Sequence, residues 1–164
     1  MPLPSDLYEV FGLDEGMRPG VCFENLEAEE VVRIYKHIKD HIGPTSSETK
    51  AWSNTLETDV EIASLDNPAR QVVSGELDSF RHYLPDYQFG DIAVSSVSVY
   101  VFPRSLELFY DVRDIGSKTE VENILALIKT INTMCPSCTP FFAEEDGTPR
   151  EEPYQKLLRC YLNA

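Results

Sequence analysis

The chain has 164 residues, enough for one domain with a single contiguous core, and 42% of them are hydrophobic, with eight tyrosines, eight phenylalanines and one tryptophan to fill it. Fourteen Lys and Arg against 28 Asp and Glu give a net charge of −14, and the acids are spread along the whole length. Such a field repels phosphate backbones and anionic lipid, so nucleic-acid binding is disfavoured, and no apolar run approaches the ~18–20 residues of a membrane span.

No basic segment followed by an apolar stretch opens the chain at Met1-Pro2-Leu3-Pro4, so a cytoplasmic location is expected. Cys22, Cys135, Cys138 and Cys160 are too few for a disulfide scaffold and are expected to be reduced. No internal repeat, linker or low-complexity tract divides the chain, and residues 1–164 read as a single domain.

In chain order, Gly20-Val21-Cys22-Phe23 is a short strand candidate. Val31, Ile34, Tyr35, Ile38 and Ile42 then recur at helical spacing and predict a helix over 27–42, capped by Asn25 and stopped by Gly43-Pro44. Pro44 to Asn54 reads as a polar loop containing Trp52, and Leu56, Thr58, Val60 and Ile62 share the period-two face of a strand.

Two readings of 66–84 stay open. One is a helix entered at Asn67-Pro68, with Ala69, Val72, Val73, Leu77, Phe80 and Leu84 on one face; the other is a turn, a strand over 70–74 broken at Gly75, and a short helix over 76–84.

The segment 92–112 alternates clearly: Val97, Val99 and Val101, a turn at Pro103-Arg104, then Leu106, Leu108, Tyr110 and Val112. This predicts a hairpin, with a bulge at Ser95-Ser96 to bring Ile92 and Val94 onto the same face. Ser117-x-x-Glu120 is a capping box ahead of Val121, Ile124, Leu125, Ile128 and Ile131, and predicts a helix over 118–134. A loop over 140–152 and a short C-terminal helix over 153–162, with Tyr154, Leu157, Leu158 and Tyr161 on one side, complete the chain. The expected fold is α+β: an antiparallel sheet centred on the 92–112 hairpin, with the two long amphipathic helices on one face.

The chemistry-bearing candidates are few. Cys135-Pro136-Ser137-Cys138 has redox-motif spacing, but it follows the end of a helix, where the macrodipole disfavours a thiolate on Cys135. Two structural thiols are therefore the expected reading. His37 and His41 lie four apart on the first helix and, with Cys135 and Cys138, are the alternative: a small metal-binding or thiol-dependent protein. No G-x-S-x-G, phosphate-cradling glycine loop or H-E-x-x-H occurs, so no enzymatic signature, resident metal or cofactor is expected.

The most partner-like stretch is Phe141, Phe142, Glu144, Glu145 and Asp146, followed by Glu151 and Glu152: two aromatics ringed by acids. The expectation is a non-enzymatic acidic protein that engages and inhibits a basic protein partner, such as a toxin or effector, acting as a monomer or homodimer. By analogy of class alone, and with no shared motif, this is how bacterial immunity proteins work. A further alternative is an assembly subunit that buries its final helix against a copy of itself.

Overall fold

The computed structural model describes Glu9 and residues 18–45, 48–89, 92–111, 113 and 117–164. Among the described residues, seven strands and four α-helices with defined bounds follow one another as β1 (Pro19–Phe23), α1 (Ala28–His37), β2 (Lys50–Ser53), β3 (Thr58–Glu61), α2 (Pro68–Ser74), β4 (Phe80–Phe89), β5 (Ile92–Val101), β6 (Leu106–Tyr110), α3 (Lys118–Met134), β7 (Phe141–Glu144) and α4 (Glu152–Leu162). Five strands form an antiparallel sheet in the order β4-β5-β6-β1-β7, and β2 and β3 form a separate ribbon. The α+β class expected from the sequence is the one observed, and among the described residues no helix is long and apolar enough to cross a membrane.

Alternation sorts the sheet into two faces. Val21, Phe23, Val97, Val99, Val101, Leu106, Leu108, Tyr110 and Phe142 point one way and are buried against Val31, Ile34, Tyr35 and Ile38 of the first helix, Val121, Ile124, Leu125, Ile128 and Ile131 of α3, and Leu158 of α4. The opposite face carries a smaller cluster of Cys22, Phe109 and Ala143, with Tyr100 and Phe141 at its margin. Both predicted helical stripes are therefore core stripes. The α4 side chains Tyr154, Leu157 and Tyr161 also pack on this core, which leaves the helix no large exposed apolar residue to offer a second copy.

Local chemistry explains the helix ends and corrects one of them. Asn25 lies ahead of α1 in the left-handed region at φ 58°, and the cap is Glu27, whose N–H donates to the Glu30 carboxylate at 2.9 Å. Past His37 the helix widens into a π turn over Ile38–Ile42, closed by the Gly43 N–H donating to Ile38 O at 3.0 Å. That extra residue keeps both Ile38 and Ile42 buried. The Ser117 hydroxyl accepts from the Glu120 N–H at the start of α3, as its capping sequence predicts.

The region left with two readings combines part of one with something in neither. Asn67 caps α2 by accepting from the Arg70 N–H at 3.2 Å, and Gly75 ends the helix at φ 84°, in the left-handed region glycine favours. Phe80–Phe89 is then a strand rather than a helix, pairing with β5 in one constant register from Phe80 opposite Val101 to Phe89 opposite Ile92, with only the rung at Pro85 missing. No extra residue intervenes, so the expected bulge is absent; Ser96 instead takes φ 46° across from Pro85. Val112 and the side chains of Ile92 and Val94 lie outside the described residues.

The segment expected to be a loop at 140–152 contributes β7, paired with β1 from Cys22 opposite Phe141 to Pro19 opposite Glu144. Its outer edge is held by a side chain. Gln155 is buried in α4, accepts from the Phe142 N–H at 2.8 Å, and donates through its amide nitrogen to Phe142 O and Arg150 O, each at 2.9 Å. Replacing it by leucine removes the acceptor for a buried N–H, which costs about 1–3 kcal/mol. We expect Gln155→Leu to lower stability in urea unfolding by about 2 kcal/mol, against no change if α4 merely covers the strand.

Candidate functional site

The acids and aromatics predicted to meet a partner do not stay together. β-strand alternation turns Phe142 into the core, where it is 1% exposed, and leaves Phe141 partly covered on the other face. Glu144 is buried as well and pairs with buried Arg150 at 2.8 Å. Glu145, Asp146, Glu151 and Glu152 remain exposed, but Asp146 accepts from the Thr148 N–H and Glu152 pairs with Arg159. This end of the molecule is acidic and has no outward aromatic anchor.

The candidate metal ligands are also separated into two kinds of contact. His37 and His41 face each other with ring centroids 4.8 Å apart, and burial lowers the His37 pKa. Cys135 and Cys138 lie after α3, close to Glu24, Glu30 and Arg33. Among the described residues no three His, Cys, Asp or Glu side chains are gathered as a metal would need, so the four do not form one site.

The exposed apolar side chains that sequence reasoning missed lie on the β2–β3 ribbon. In β2 the side chains of Ala51 and Ser53 turn inward, while Lys50 and Trp52 face out. Trp52 is 44% exposed, and Leu56, in the turn joining the strands, is 68% exposed; they are the two large hydrophobics left open among the described residues. Water contact over so much indole is a cost that ordinary folding removes, and a tryptophan left out is a common energetic centre of an interface.

The ribbon is held rigidly enough to present them. Lys50–Ser53 pairs residue for residue with Glu61–Thr58, which places Asp59 directly across from Trp52. The Leu56 N–H donates to the Ser53 hydroxyl, and the Glu57 N–H donates to Ser53 O at 2.9 Å, with Glu57 at φ 53°. On the other side the chain after α2 runs alongside β2: the Asp78 N–H donates to Trp52 O at 2.9 Å and the Asn54 N–H to Glu76 O at 2.8 Å. The Asn54 side-chain amide ties Gly75 O and the Asp78 carboxylate to the same corner.

The rim is mostly acidic, with the outward Lys50 standing across from Glu61. Glu57, Asp59, Glu61, Glu76 and Asp78 are all exposed, and none is in an ion pair, whereas Glu27, Glu29, Asp40, Asp111 and Glu152 elsewhere each have a basic partner. The ribbon thus combines an apolar centre with a net negative rim. A sequence signal for it existed: Trp52 stands in a stretch of polar residues, Ser46 to Asn54, with no apolar residue two positions away on either side to share the face of a strand with it.

Compared with family models, curated proteins and solved structures, the chain matches none. The ribbon's own chemistry is what remains to indicate a function.

Proposed function

We propose that this protein is a non-enzymatic acidic binding protein that engages a basic protein partner through the β2–β3 ribbon and, by covering the partner's basic surface, inhibits it. The observation that supports this reading is the exposed Trp52 and Leu56 framed by Glu57, Asp59, Glu61, Glu76 and Asp78. The net charge of −14 steers a basic surface inward over distances of about a Debye length, ~10 Å at 0.1 M salt, and burial of the indole then slows dissociation. A toxin or effector with a lysine- and arginine-lined active surface is the class of partner this chemistry fits, and the cytoplasm is the proposed place of the encounter.

The test starts with capture of the partner at low ionic strength and calorimetry on the purified pair. Trp52→Ala should weaken binding about 30-fold, the equivalent of ~2 kcal/mol for a central anchor, while leaving the unfolding midpoint unchanged. Asp59→Asn with Glu61→Gln should slow association and flatten its salt dependence. Equal affinity for wild type and Trp52→Ala, or binding indifferent to salt, overturns the proposal.

A further inference from the structure

The turn that follows α3 holds two thiols that the ribbon does not use. The Cys138 N–H donates to Cys135 O at 2.9 Å, so 135–138 closes as a β-turn. Such a turn brings its first and fourth Cα atoms within about 7 Å, near the span that a disulfide bridges. The two thiols are close enough for each to shift the other's titration.

Their surroundings differ in the sense that divides an attacking thiol from a resolving one. Cys135 is 0% exposed, and its Sγ donates to Ile131 O, one turn back in α3, at 3.3 Å. Cys138 is partly exposed, donates to Glu24 O at 3.5 Å, and lines a cavity of about 230 Å³ together with Asn132, Thr139 and Arg159. The electrostatics follow the same division: the neighbouring Cys138 and burial push the Cys135 thiol up, while the neighbouring Cys135 pulls Cys138 down despite its partial burial and Glu24 and Glu30 nearby. Placement after the helix end disfavours the first cysteine of the motif, but the turn carries the second away from that end and out to solvent.

We propose that Cys135 and Cys138 form a reversible dithiol–disulfide site that reacts with low-molecular-weight anionic disulfides. Cys138 gives up its proton and its thiolate attacks one sulfur of the small disulfide, forming a mixed disulfide and releasing one small thiolate, which takes up that proton. Cys135 then gives up its proton and attacks the Cys138 sulfur, forming the Cys135–Cys138 bond and releasing the second small thiolate, which takes up the proton. Two protein thiols are oxidised and one small disulfide is reduced to two thiols. The cavity has room for the half that stays attached, and the Arg159 guanidinium on its wall can exchange its exposed partner Glu152 for a carboxylate of such a molecule.

Oxidised glutathione is the probe, and Cys160→Ser is the background, because Cys160 is exposed and would add a mixed disulfide of its own. Intact mass should show loss of two hydrogens with no glutathione retained. Trypsin leaves both cysteines on the single peptide 130–150, and that peptide should carry the loss. With Cys135→Ser added, the mixed disulfide should persist on Cys138; with Cys138→Ser instead, Cys135 should stay unreacted. Should either variant fail to fold, the peptide mass from the background protein still decides. An unchanged peptide, or glutathione retained on Cys138 while Cys135 is present, overturns the proposal.

Discussion

Gly20→Ala should cost about 3 kcal/mol or more in urea unfolding, enough to remove a large part of a small domain's stability. The usual expectation has the opposite sign. Replacing a strand glycine by alanine reduces the freedom of the unfolded chain and gains roughly 0.4–1 kcal/mol where the backbone geometry allows it. Here a Cβ would fall on the carbonyl oxygen of Leu108 and against the ring of Phe109, whose Cγ would lie 2.9 Å away. β1 lies between β6 and β7, with Gly20 opposite Phe109 on one side and Ala143 on the other, so the strand cannot move away from one neighbour without opening the other. Phe109 occupies the space that a side chain at position 20 would take, and it is held there edge-on to Tyr100 at a centroid separation of 5.9 Å. Gly147, at φ 88° with open space around it, is the control: its alanine variant carries only the backbone strain, about 1 kcal/mol. Equal or higher stability of Gly20→Ala would show that the sheet's second face is looser than this packing requires.

The parts of this fold that were legible in the sequence are those where one period stands alone. Residues 27–42 and 118–134 repeat at helical spacing, with the stop after the first and the cap of the second as the sequence places them, and 97–110 alternates without competing helical spacing, so both long helices and the hairpin are found where periodicity puts them. β4 was hidden because Leu77, Phe80 and Leu84 also satisfy helical spacing, and because Pro85 argues against a strand. Pro85 is tolerated since β4 is an edge strand and the missing N–H interrupts only one rung. β7 was hidden by its brevity: four residues next to an acidic run show too little alternation to separate a strand from a loop. The same brevity led Phe141-Phe142 to be read as outward anchors, when pairing with β1 sends one ring to each face. Trp52 was visible as a residue and not as a surface, since its exposure depends on which way the ribbon turns Ala51 and Ser53.

Acidification should remove about 3 kcal/mol of stability between pH 6.5 and about 4, through one buried histidine. His82 on β4 is 0% exposed, and its Nε2 lies 2.9 Å from Gly43 O. A carbonyl can only accept, so Nε2 carries the proton, and Nδ1 is left as the acceptor for the Tyr35 hydroxyl at 3.0 Å. The neutral ring therefore satisfies every polar group it meets and ties the edge strand to α1 and to the end of its π turn. A second proton on Nδ1 would displace the Tyr35 O–H bond at a site closed to solvent, where His82 is 0% and Tyr35 1% exposed. Burial, with Lys39 adding to it and the Gly43 bond opposing it, lowers the pKa from 6.5 to about 4.

The sign follows from proton binding. Between those values the unfolded chain takes up a proton that the folded one refuses, so this contribution is complete above pH 6.5 and is lost as pH falls through the window toward 4. About 2.5 pH units at 1.36 kcal/mol each gives the ~3 kcal/mol stated. Two neighbouring effects are separable. Asp111, held near pKa 2 by its hydrogen bond to Arg113, begins to matter only below the ordinary Asp value of 3.8. Glu107, raised by burial and by Glu24, acts in the opposite sense as its protonation sets in. His82→Gln keeps an amide donor for Gly43 and an acceptor for Tyr35 but cannot titrate, so its unfolding free energy should lose the decline between pH 6.5 and 4 that wild type shows. Parallel declines in the two proteins would assign the acid sensitivity to the carboxylates instead.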